Sequence, residues 1–311
     1  MDTRAPVTTR RRRRSRFTTY LFRTIVTVYL FLLVAWPVGL VVKYTFQDGF
    51  DALRAVFDDP DTRHALALTV RVAVVSVAIN LVFGVGLSIL LVRYRFPGRR
   101  LLSALIDLPL AVSPVVVGLA LLLVYNSRTG WFGPTLDERG LDVIFATPGI
   151  VFATVFVSLP LVIRELVPVL EEIGIDQEQA ARSLGANSWQ TFWRITLPSI
   201  RWGVTYGVVL ATARALGEFG AVAVVSGRIS GSTETMPLYL RRLFDTFNVS
   251  GAYAAAVVLA LLALTVLFAM NFIQRRDRAI LAGPSVATEP GAVVPHLDVT
   301  DDKENRDEHQ G

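Results

Sequence analysis

The chain has 311 residues, 52% of them apolar, with three histidines, no cysteine and a net charge of +5. Without cysteine there can be no disulfide, thiolate metal site or cysteine nucleophile, and His64, His296 and His309 form no ligand-spaced cluster. The mean hydropathy of +0.49 and the crowding of basic residues beside apolar runs favour a membrane setting over nucleic acid.

A basic block, Arg10 to Arg14 and Arg16, precedes the first apolar run, Thr24 to Val42. That run ends in Trp36-Pro37-Val38 with no small-residue cleavage pattern, which predicts an uncleaved transmembrane helix rather than a secretory signal. Five more spans are expected: Val72 to Val92, Leu101 to Tyr125, Val143 to Ile163, Trp202 to Val225 and Ala252 to Ile273. Each is near the ~20 residues that cross a bilayer as a helix, and lipid-facing backbone must satisfy its own hydrogen bonds. With the N-terminus in the cytoplasm, the inside segments carry eighteen Lys or Arg and the outside segments eight. This bias places both termini inside. The expected fold is therefore all-α and integral to the membrane, with six transmembrane helices. The expected divisions are a basic cytoplasmic segment at 1–23, a first helix and outer loop at 24–65, a five-helix domain at 66–273, and a polar cytoplasmic tail at 274–311. The tail composition predicts disorder.

One cytoplasmic stretch differs from the spans around it: EQAARSLGANSWQTFWRITLP, Glu178 to Pro198. Asp176 and Gln179 have capping-box spacing, predicting a helix from Gln177 to Leu184 with Ala180, Ala181 and Leu184 on one face. Gly185 stands where a left-handed residue would end it. Asn187 or Ser188 can cap a second helix carrying Trp189, Phe192, Trp193 and Thr196 on one side, stopped at Leu197-Pro198. Geometry alone leaves two readings: an interfacial connector, or an elbow that a partner grips through its small alanines.

The run Gln179-Ala180-Ala181, Gly185, Ile195 and Leu197-Pro198 resembles the EAA signature of ABC importer permeases, with glutamine where that family has its first glutamate and Glu178 one residue earlier. The resemblance implies a type I ABC importer (MetI-like) permease fold. It also implies that Glu178, Gln179, Ala180, Ala181 and Gly185 contact an ATP-hydrolysing subunit, while Ile195, Leu197 and Pro198 fix the second helix. The chain lacks a phosphate-binding G-x-x-x-x-G-K-[ST] loop, since neither Lys43 nor Lys303 follows glycine. The expectation is a non-enzymatic permease that binds no cofactor, with ATP and Mg used by the partner.

Beyond the loop, Ala213 to Leu240, Ser250 onward and Leu105 to Tyr125 resemble sulfate/thiosulfate importer permeases. Molybdate permeases share a similar LGEFGA segment, so a molybdate, tungstate or other oxyanion permease is the alternative. A secondary transporter or channel is the rival of another class. No paired acids or catalytic motif in the spans supports an intramembrane enzyme. The family implies a multi-pass protein of the bacterial cell membrane, partnered by a pair of ATP-binding subunits, a second related permease, an extracytoplasmic sulfate-binding protein and the lipid bilayer, with no nucleic acid.

A dianion needs a lined path through hydrocarbon. Arg214 and Glu218 share a helix face and either line that path or neutralise each other to hold the bundle. Ser226 and Ser230, in and beside the loop GRISGS, offer hydroxyls and nearby amides to an anion, or belong to a plain outer loop. Arg164 is expected to snorkel. Asp107, beside Pro109, either stabilises a kink or faces a partner.

Overall fold

The computed structural model describes residues 16–47 and 49–281. Every regular element among them is helical. The contacts divide the chain into Met1–Met270 and Asn271–Gly311, and the packing described below lies within the first unit. The arginines at 10–14 and the tail beyond 281 lie outside the described residues.

The first apolar run is helical throughout: α1 (Arg16–Leu30), a π-helical turn (Phe31–Ala35) and α2 (Trp36–Thr45). The π turn stands just before Pro37, whose nitrogen has no proton to donate. The helix widens there, and the Trp36 N–H reaches the Phe31 carbonyl. None of the residues in the most apolar window of this span is buried. It touches the rest of the unit near its end, where Tyr44 stacks on Tyr253 with ring centroids 5.6 Å apart.

A short helix α3 (Asp51–Asp58) leads into α4 (Pro60–Arg93), which begins at an Asp59 cap with Pro60 in its first turn, a position where the missing N–H costs nothing. The expected third span breaks into α5 (Arg99–Ala111) and α6 (Pro114–Tyr125), 115° apart. Pro114 removes a donor and pushes Ser113 into extended backbone, with ψ 136°. After α7 (Gly133–Asp137), α8 runs from Thr147 to Ile173. Pro148 starts α8, later than the expected Val143, and Pro160 does not stop it.

The fifth expected span also differs. α11 (Leu197–Leu216) ends before Gly217, and the chain turns through Gly217–Gly220 into a four-residue helix, α12 (Val222–Val225). Two elements complete the order: α13 (Met236–Asp245) and α14 (Val249–Leu281). Residues 274–281, expected in a disordered tail, continue α14. Among the described residues, four helices are long and apolar enough to cross a membrane, or five with the bent α5–α6 pair.

The core lies where α8 packs between α4 and α11. Val162 is fully buried there. A Cβ on Gly84 of α4 would stand 2.7 Å from a Val162 methyl, and one on Gly207 of α11 would stand 3.2 Å from the Val162 Cα. Small residues thus set the interhelical spacing, as lipid-embedded packing requires. Gly203 makes a similar approach to Leu166 and Val169, whereas Gly86 faces open space. A polar contact joins the same helices: buried Asn80 donates to the Ser158 hydroxyl at 2.7 Å.

Candidate functional site: the elbow and the charge pairs

The elbow contains α9 (Asp176–Ser183) and α10 (Ser188–Thr191). The expected capping box is absent: Ile175, not Asp176, is the cap residue, and no side chain caps the helix. The second helix is capped by Asn187, not Ser188, in a capping box with Gln190, the two bonded reciprocally at 2.8 and 3.0 Å. Gly185 has φ +87°. The Ala186 N–H bonds the Ala181 carbonyl at 3.0 Å and the Gly185 N–H bonds the Arg182 carbonyl at 2.9 Å, which together make a Schellman ending.

Leu197-Pro198 does not stop the second helix. A π turn, Phe192–Thr196, carries α10 directly into α11, with the Leu197 N–H on the Phe192 carbonyl. Pro198 occupies the first turn of α11, where proline is tolerated. The elbow is therefore continuous with a core helix, and movement at Asn187 has a direct mechanical route into the bundle.

The expected alanine face is divided. Ala181 is buried within the chain, while Gln179, Ala180 and Gly185 are exposed and Leu184 is 89% exposed. Trp189 and Trp193 are exposed and pack edge to face, ring centroids 5.5 Å apart. Ile195 is half-buried, Leu197 half-buried and Pro198 exposed.

Glu178 points inward. Its Oε1 accepts from Arg93 Nε at 3.2 Å, lies 3.1 Å from Arg93 Nη2, and accepts from the Thr196 hydroxyl at 3.1 Å. Arg93 also donates to the carbonyls of Leu170 at 3.0 Å and Gly174 at 2.7 Å. Both side chains are nearly enclosed, at 10% and 12% exposure. One guanidinium thus ties the last turn of α4, the end of α8 and the start of the elbow, and Thr196 adds the π turn that leads into α11. Sequence reading missed Arg93, which stands 85 positions from Glu178; its one signal was its place as the first cation after a long apolar run. A cavity of about 290 Å³ opens beside this knot, bordered by Tyr94, Gln179, Arg182 and Ser188.

The deep charges fall into two arrangements. Arg214 Nη1 approaches Glu218 Oε2 to 2.5 Å, an ionic contact outside hydrogen-bond geometry. Glu218 is buried, and its other oxygen caps the Ala221 N–H at 2.9 Å. The carboxylate thereby holds the turn that ends α11. Arg164 and Asp107 pair differently: Nε to Oδ1 at 3.0 Å, with the side chains 58% and 42% exposed.

Ser226 and Ser230 lie in a closed network. Ser226 donates to the Thr233 carbonyl at 2.6 Å and accepts from the Arg228 N–H at 3.0 Å. Ser230 donates to the Asp61 carboxylate and accepts from Arg242 Nη2 at 3.0 Å. Arg242 also bonds both oxygens of buried Glu234, which holds its guanidinium pKa above the ordinary value. Next to it, burial pushes the Tyr239 hydroxyl, bonded to Asp59 at 2.7 Å, up to about 12. The outer loop is thus stapled to the start of α4 by carboxylates, a poor environment for an anion on Ser230.

The profile of the family described as "Binding-protein-dependent transport system inner membrane component" matches residues 80–278. The sulfate transport system permease protein CysW of Synechococcus elongatus is 45% identical over 80% of this chain and 87% of its own. Its Escherichia coli K12 counterpart is 48% identical over 77% and 82%. The probable sulfate transport system permease protein cysT of Nephroselmis olivacea is 36% identical over 82% and 89%. The fold is similar to that of a chain in a bacterial alginate ABC transporter in complex with alginate pentasaccharide-bound periplasmic protein, with a TM-score of 0.71, 19% identity, and 84% and 95% coverage. Family profile, long relatives and fold agree, and the chain belongs to the binding-protein-dependent transport system inner membrane components, the permease subunits of ABC importers.

Proposed function

We propose that this chain is a permease subunit of an ATP-driven sulfate importer in the bacterial cell membrane. The observation that carries this reading is 45–48% identity to sulfate permeases over about four-fifths of the chain. The chain crosses the membrane six times, counting α11 as a span, with both termini in the cytoplasm. It encloses half of the translocation route, and a second, related permease of the kind represented by the cysT relatives supplies the other half. A pair of ATP-binding subunits uses ATP and Mg, and an extracytoplasmic sulfate-binding protein delivers the anion.

The elbow is the coupling element. Gln179, Ala180 and Gly185 offer the exposed docking surface, with Leu184 beside them. Glu178 and Ala181 face the bundle and transmit. Ile195, Leu197 and Pro198 make the rigid passage into α11. ATP-driven closure of the partner subunits moves the elbow and turns the bundle outward; hydrolysis returns it. Arg214 and Glu218 hold the end of α11, and Ser226 and Ser230 hold the outer loop.

The test is reconstitution of the full complex in proteoliposomes. Sulfate-loaded binding protein should stimulate ATP hydrolysis and drive sulfate uptake, and excess molybdate should compete weakly. Uptake that survives ATP depletion would refute the reading. A photocrosslinker at Leu184 should capture the ATP-binding subunit, whereas one at Ala181 should not.

A further inference from the structure

We propose that Arg164, held by Asp107, is an oxyanion contact in the cytoplasmic half of the translocation route. This rests on the sulfate-permease reading and goes beyond it by naming a ligand contact.

The argument starts from depth. Arg93 bonds the Leu170 and Gly174 carbonyls and so marks the inner end of α8. Arg164 lies six residues before Leu170, about 9 Å back along a helix rising 1.5 Å per residue, and directly after Ile163, where the apolar run ends, which puts it at the cytoplasmic mouth of the span. Its partner Asp107 is on α5, and the pair is about half exposed on the outside of the chain. A cation at the mouth of a span, held by a carboxylate from a neighbouring helix, turns toward water or a protein partner rather than hydrocarbon.

The second point is valence. Arg93 spends all three of its nitrogens on protein acceptors. Arg164 spends Nε alone: among the described residues, nothing accepts from its two terminal nitrogens. Arg164 and Asp107 border a cavity of about 200 Å³ that also takes in Ser103, Arg99 and Glu171. A planar guanidinium fork beside a hydroxyl suits a tetrahedral oxyanion.

The third point is strength. A bare arginine in a dry site would trap a dianion. Conduction needs a site strong enough to enter and weak enough to leave. Asp107 supplies that weakening, because it offsets the cation while leaving its terminal N–H groups free. The other deep pair cannot serve in this way, since Glu218 is buried and caps the chain's own backbone.

The chain contains no cysteine, so labelling read on this subunit, separated from its partners, reports the one introduced thiol. The complete complex carrying Ser103→Cys is placed in inside-out vesicles and treated with a charged, membrane-impermeant thiol reagent, with and without sulfate. The expected result is labelling, slowed several-fold by sulfate. Adding Arg164→Gln should abolish that protection, and Arg164→Lys should retain part of it. Absence of labelling would place the cavity against lipid or dry protein, and protection unchanged by Arg164→Gln would remove Arg164 as the contact. Either result overturns the proposal. Sulfate-driven ATP hydrolysis by the complex carrying the unaltered chain, measured in parallel, tells failure of this contact from failure of the permease reading.

Discussion

Two arginine–carboxylate pairs meet α8 at different heights, one through the Leu170 carbonyl and one through Arg164, and behave in opposite ways. Arg93–Glu178 is closed: both side chains are nearly enclosed, and every nitrogen of the guanidinium has a protein acceptor. Arg164–Asp107 is open: a single hydrogen bond joins side chains that are about half exposed. A closed pair resists deformation, because losing one partner strands a buried charge. An open pair contributes little stability and keeps donors for something else. The first suits transmission of force and the second suits contact with a passing ion.

The sharpest way to break this contrast is at the closed pair. Arg93→Leu should destabilise the chain by about 3 kcal/mol or more, as breaking a buried pair does. The yield of assembled complex and its thermal midpoint would measure the loss. Glu178→Gln keeps the shape but weakens the knot, and should lower sulfate-stimulated ATP hydrolysis while the Leu184 crosslink persists. Equal stimulation in this variant would show that the knot does not transmit.

The next effect comes from the scaffold shared by both pairs. Gly207→Val puts a side chain against the Val162 backbone, which cannot retreat as a flexible tip can. Overpacking of this kind costs about 1–3 kcal/mol. It should shift α8 relative to α11, and be visible as a lower thermal midpoint together with weaker coupling. Gly86→Val, in open space, is the matched control and should leave both unchanged.

Loss of the second helix cap follows in size. Asn187→Ala removes one partner of the reciprocal bond with Gln190 and should cost about 1 kcal/mol. Its signature is faster amide exchange at Gln190 and Thr191 with little change in overall melting. The smallest stability effect belongs to the open pair. Asp107→Asn should change the thermal midpoint by the equivalent of about 0–1 kcal/mol, yet alter the concentration dependence of sulfate uptake. A large stability loss with unchanged uptake would make the open pair a structural strut like the closed one.

The sequence by itself determined the class of the molecule and the local shape of the elbow. Runs of apolar residues, the basic bias and the EAA spacing are short-range patterns, and they pointed to a helical membrane permease. Gly185 and Asn187 were legible because a left-handed turn and a helix cap depend on a few neighbouring residues. Proline was legible in position but not in consequence. Pro114 bends its span by 115°, whereas Pro160 leaves α8 unbroken and Pro198 begins α11. The outcome depends on whether neighbouring helices hold the distorted backbone in place. Which face of α9 looks outward, and which arginine meets which carboxylate, only the tertiary structure decided. Arg93 and Glu178 are separated by 85 positions and Arg164 and Asp107 by 57. Helix propensity and hydropathy act locally, so they carry no information about charges that meet only after the helices have packed.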